Sequence, residues 1–185
     1  MSRSKLGGTL AVLGALVVTS VAAADERRPP SITPVSAHFT ATGTVRTETC
    51  RQGAQTFLER RGTFSGTSTS TEPRLNGPVR ISLKTLVNAG TGLGIATGKF
   101  RVRSSGGARA ELVAVVSGSN RLDGFLQGRV GDNEGRRLSD RGDGEARRLF
   151  ANFSATLAGG TLTGDLGAGT HMNDAVLVAG ECDDD

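Results

Sequence analysis

The chain has 185 residues, enough for one domain with a real core and short of what two would need. Its formal net charge of +4 falls nearly to neutral once Arg3 and Lys5 of an amino-terminal leader are set aside, so bulk charge makes no case for nucleic acid. Trp and Tyr are absent, which removes the usual platforms for sugars and single-stranded bases, and the 27 glycines follow no three-residue period, which excludes collagen.

Residues 1–24 read as a secretory signal peptide. Arg3 and Lys5 precede an apolar run from Leu6 to Val21, and Ala22-Ala23-Ala24 offers a small-residue cleavage site. The run is short for a spanning helix, and no later segment is apolar enough to cross a bilayer as one. The expected location is therefore secreted, outside the cell. Residues 25–36 form a Pro-rich leader, residues 37–182 the folded domain, and residues 183–185 an acidic tail.

Within the domain, Ala37–Thr49 sets Phe39, Ala41, Gly43 and Val45 against His38, Thr40, Thr42, Thr44 and Arg46, the period of two of a half-buried strand. Thr56–Ser70 is a second strand, bent at Gly62 or Gly66, and Glu72–Pro78 is a turn around Asn76-Gly77. Pro78–Arg103 is the most regular stretch. Val79, Ile81, Leu83, Thr85 and Val87 share one face, and Arg80, Ser82, Lys84 and Asn88 the other. Asn88–Gly92 turns the chain, and the return strand sets Phe100 and Val102 against Lys99, Arg101 and Arg103.

Arg109–Ser117 is apolar on both faces, and its β-branched content favours a central strand over a short helix. Asn120–Val130 alternates Leu122, Gly124, Leu126, Gly128 and Val130 against Arg121, Asp123, Phe125, Gln127 and Arg129. Residues 131–148 break the pattern with acids, arginines and turn-spaced glycines, and read as a long mobile charged loop. Leu149–Leu157, Thr161–Leu166 and Ala175–Cys182 complete the count. About eight or nine short strands without an amphipathic helix make the fold all-β, an antiparallel barrel with a β-sandwich as the alternative. The small inward residues suit a barrel's curvature.

The run GTGLGIATGKFRVR, residues 90–103, resembles the glycine-rich strand-turn-strand of the dirigent and allene oxide cyclase-like barrels. The likeness covers that hairpin and the general rhythm of strands. It implies an eight-stranded barrel with a hydrophobic lumen, and it carries over no catalytic residue.

Cys50 and Cys182 are the two cysteines, and in an exported chain a disulfide is the simplest use of such a pair. No G-x-S-x-G elbow accompanies His38 or His171, so no hydrolytic site is assigned. The acids Asp132, Glu134, Asp140, Asp143 and Glu145 lack the spacing of a calcium loop and are interleaved with arginines, so no metal site is assigned. Arg80, Lys84, Lys99, Arg101 and Arg103 form the best charged constellation, since strand alternation sets them on one surface. They suit an anionic ligand, polymer or head group. The competing reading is a solvated sheet face whose charges discourage edge pairing.

The expected protein is a secreted monomer without a cofactor, a transmembrane span or nucleic acid as partner. Its expected role is non-catalytic, binding a small apolar or anionic ligand or a cell-envelope component. One alternative is a barrel-type cyclase or isomerase acting on an apolar small molecule, with Glu48, Glu59, Arg61 and Glu111 as candidate lumenal groups. Another is a secreted structural or adhesive protein.

Overall fold

The structure, a computed structural model, describes residues 33–104, 106–118, 120–131 and 147–167. The expected signal peptide, most of the leader, loop residues 132–146, the ninth strand candidate, His171, Cys182 and the acidic tail lie outside the described residues. Eight strands follow in order: β1 (Ala37–Gln52), β2 (Gln55–Ser70), β3 (Gly77–Asn88), β4 (Gly94–Val102), β5 (Ala108–Ser117), β6 (Arg121–Val130), β7 (Arg147–Ala158) and β8 (Thr161–Leu166). Each pairs antiparallel with the next, and β1 returns to β8 to close a barrel.

The alternation read from the sequence decides inside and outside. Phe39, Phe64, Phe100 and Phe153 are fully buried with Ile81, Leu112, Leu122, Leu126, Leu162 and Leu166. The Phe39 ring stands edge-on to Phe100 and stacks on Phe153, each with centroids 5.7 Å apart. An eight-stranded barrel is just wide enough for side chains to fill. Outward positions carry mainly Thr, Ser, Arg and Lys. That facing is the inverse of a membrane-spanning barrel, whose outer wall is apolar.

Two local expectations are refined. The turn expected over Glu72–Pro78 is there, centred on Pro73–Leu75 rather than on Asn76-Gly77. A 3-10 turn at Pro73–Leu75 joins β2 to β3, with Glu72 accepting the Arg74 N–H at 3.2 Å and Leu75 buried in the core. Pro73 favours this start because its φ is preset and it has no N–H to satisfy. Arg147 and Arg148 also leave the charged loop: they open β7, opposite Val130 and Arg129. By contrast the Asn88 turn is as read. Asn88 Oδ1 accepts the N–H groups of Gly90 and Thr91 at 2.9 and 3.1 Å, and Gly92 takes φ +70.

Inward glycines let neighbouring strands approach closely. A Cβ on Gly128 would lie 2.0 Å from the Arg109 carbonyl oxygen and 2.6 Å from Ala110 Cβ. Replacing Gly128 with Ala is expected to destabilise the fold by about 1–3 kcal/mol, the usual cost of forcing extra volume into a packed wall. Gly53→Asn, at φ +59 with open space around it, is expected to leave stability nearly unchanged. Thermal unfolding followed by circular dichroism compares the two.

Candidate functional site

Strand register stacks the outer wall into rows. In one row Arg80 faces Arg101, Arg101 faces Arg109, Arg109 faces Arg129, and Arg129 faces Arg148. Five arginines thus stand side by side across β3–β7, all exposed. At strand spacing the row spans about 19 Å. Directly opposed like charges are destabilising in a sheet. Among the described residues no carboxylate forms an ion pair with Arg80, Arg101, Arg129 or Arg148.

Two adjoining clefts lie on the same wall. A cavity of about 600 Å³ is lined by Lys99, Arg101, Arg109, Arg129, Arg148 and Phe150, among others. Another of about 710 Å³ is lined by Arg46, Arg61, Lys84 and Lys99, with Gly62 and Gly98 in its wall. Lys99 and Glu111, which face each other across β4 and β5, belong to both.

All five basic residues singled out from the sequence are exposed on this wall. Lys84 lines the larger cleft, Arg101 the smaller, and Lys99 both. Arg80 extends the row beside Arg101. Arg103 follows β4, with its N–H donating to the Pro78 carbonyl at 2.8 Å, and lines neither cleft. Arg109, Arg129 and Arg148 were not singled out, although Arg129 already stood on the polar face of its strand. What brings them level is pairing between segments that are distant in sequence.

An ion cluster borders the larger cleft through Arg61 and Lys84. Glu59 points outward by register but is only 3% exposed. Arg61 Nε donates to its Oε1, and Lys84 Nζ lies 3.4 Å from Oε2. Burial pushes the Glu59 carboxyl up, but the Arg61 hydrogen bond and the Lys84 charge more than offset this and hold it below its ordinary value. The carboxylate is on the wall rather than in the core, and both cations are half-exposed, so the cluster contributes modestly.

Some charges elsewhere on the wall are paired. Arg121 Nε donates to Asp123 Oδ2 at 2.6 Å, and Ser154 Oγ donates to Asp123 Oδ1 at 2.8 Å. Burial raises the Asp123 carboxyl, and these two donors outweigh it, so it too lies low. His38 Nδ1 lies 2.8 Å from Asp165 Oδ1 across the closing seam. Ser154 faces Asp165 in register, but its proton goes to Asp123 rather than toward the imidazole. Among the described residues no group of three or more His, Cys, Asp or Glu side chains is placed to hold a metal ion.

The candidate lumenal groups are elsewhere. By register Glu48, Glu59, Arg61 and Glu111 all face outward. Arg60 turns inward near the rim, opposite Thr85, and its Nη1 donates to Asn120 Oδ1 of the β5–β6 turn at 2.7 Å. Comparison of the chain with protein-family models, with curated proteins and with solved structures finds no match.

Replacing Glu59 with Gln is expected to move two properties in opposite directions. The folded carboxyl lies below its ordinary value near 4.5, so its contribution is complete above that pH and is lost as pH falls through the lower folded value. At neutral pH, Glu59→Gln should cost about 1 kcal/mol, and the gap from the parent should close in acid. Affinity for a polyanion should rise, since Arg61 and Lys84 lose the carboxylate they share. Denaturant melts across pH and retention on a sulfated polymer measure both.

Proposed function

We propose that this is a secreted, non-catalytic barrel whose outer wall binds an anionic ligand or an anionic component of the cell envelope. The arginine row carries the reading. Five like charges in register cost stability, and the described chain supplies no carboxylate to four of them. Edge protection does not account for them, because β3 to β7 are each paired on both sides. An anion lying across the strands would relieve the repulsion and meet several guanidinium groups at once.

The test is retention of the protein on immobilised heparin, with Arg101→Gln, Arg129→Gln and Arg148→Gln singly and together. Each substitution is expected to weaken binding about fivefold, in line with roughly 1 kcal/mol per cation at an anionic surface. Retention should fall steeply with salt. The same substitutions should raise the melting temperature at low salt, because each removes a like-charge neighbour. Unchanged retention in the triple variant would sink the proposal.

Export and a Cys50–Cys182 bridge belong to the same reading. Cys50 is half-buried on the outward face of β1, and the described residues include no free cysteine. A bridge to Cys182 would close a loop over most of the domain, on the order of 4–5 kcal/mol in the chain-entropy model. The secreted protein is expected to weigh two hydrogens less than the reduced chain and to melt lower after reduction. A full mass with two titratable thiols would remove the bridge.

A further inference from the structure

The row next to the arginines is Ser82, Lys99, Glu111, Gln127 and Phe150, and exposed apolar side chains that the core does not need stand in it and in the rows beyond. Val113 and Phe125 face each other across β5 and β6, both pointing outward, and are 63% and 56% exposed. Phe150 on β7 is 71% exposed. It faces Gln127 and so stands diagonally next to Phe125, about 7–8 Å away in the usual sheet geometry. Ile95, 37% exposed, and Val115 face each other across β4 and β5 and continue the strip. Phe150 stands one outward position from Arg148, and Phe125 and Val113 one row beyond. Successive rows on one face are about 7 Å apart.

Resting on the anion-binding reading above, we propose that this wall docks on an anionic lipid surface. Arg129 and Arg148 would meet the head-group phosphates, while Val113, Phe125 and Phe150 enter the acyl boundary. The occupant is argued from charge and from the kind of apolar surface. A soluble polyanion needs the arginines but gains nothing from a bare Val113–Phe125 pair, whereas a membrane interface rewards both. The strip is too small for a spanning wall, and the rest of the outer face is mainly polar, so docking would be peripheral.

The test uses the secreted protein and vesicles of phosphatidylcholine, with and without phosphatidylglycerol, read by co-sedimentation. Binding is expected only with phosphatidylglycerol and should decline with salt. Phe125→Ser with Phe150→Ser should reduce vesicle binding at least tenfold, and Phe125→Ser alone, at a position that lines neither cleft, should weaken vesicle binding and leave heparin retention unchanged. Both side chains are exposed, so the double variant should fold; if it does not, Val113→Thr, nearly the same shape, gives the same comparison. The chain has no Trp, so Phe150→Trp supplies a single reporter whose emission should shift blue on phosphatidylglycerol vesicles. Thr67→Trp, exposed on β2, should not shift. Heparin retention without vesicle binding, or vesicle binding unaffected by the Phe changes, would overturn the lipid inference and leave the anion-binding proposal standing. Failure to bind either would overturn both. An oligomer in light scattering that the double Phe variant dissociates would assign the strip to a second copy instead, and also overturn the lipid inference.

Discussion

The six-residue seam between Ala37–Thr42 of β1 and Thr161–Leu166 of β8 is the pairing on which the rest of the structure depends. Without it β1 and β8 would be open edges and the sheet would have no enclosed face. The seam is also where the core is anchored. Phe39 lies within it, opposite Gly164, and its ring reaches Phe100 of β4 and Phe153 of β7. Gly164 suits that place, since a Cβ there would come within 2.3 Å of the Ser154 carbonyl oxygen. Closure and core packing are therefore coupled: the aromatic ring that fills the lumen sits on the strand that shuts it.

Closure changes what an outward charge can mean. In an open sheet, basic residues on a strand are readily explained as a guard against edge-to-edge association. Here β3 through β7 have no edge to guard. Several cations elsewhere on the wall have local partners: Arg46 with Glu48 at 2.9 Å, Arg74 with Glu72 at 2.7 Å and Arg121 with Asp123 at 2.6 Å. Among the described residues Arg80, Arg101, Arg129 and Arg148 stand in a row of like charge without such a pair. Conflicts between a local rule and the global fold tend to lie at functional sites, where stability gained elsewhere sustains them.

Much of this was legible in the sequence, because alternation alone assigns faces. The inward set Val79, Ile81, Leu83 and Val87 and the outward set Arg80 and Lys84 are as the period of two requires. Phe125 was likewise outward by parity. What alternation does not carry is level. Arg101, Arg109, Arg129 and Arg148 become neighbours only through three successive strand registers, one of them across a long charged segment. Nor does parity foretell that Glu59, an outward carboxylate, would be covered once Arg61 and Lys84 converged on it. Face is a local property of a strand; position along the barrel is a property of all the turns together.

The both-faced apolar character of Arg109–Ser117 is where these threads meet. Such a strand ordinarily implies cover on both sides. In the barrel its inner face, Ala110, Leu112, Ala114 and Val116, is buried, while Val113 on its outer face is open to solvent. The fold obtains its core from the inner set and gains nothing from the outer one. Gly124 and Gly128 then connect core to wall. They face Ala114 and Ala110 inside the barrel, where any side chain would strike the carbonyls of Val113 and Arg109. The close approach they permit brings Arg129 beside Arg109 and Phe125 beside Val113 on the outside. The same inward glycines that let the sheet curve therefore assemble a surface that is both cationic and apolar, and the chemistry of that wall is a consequence of how the barrel closes.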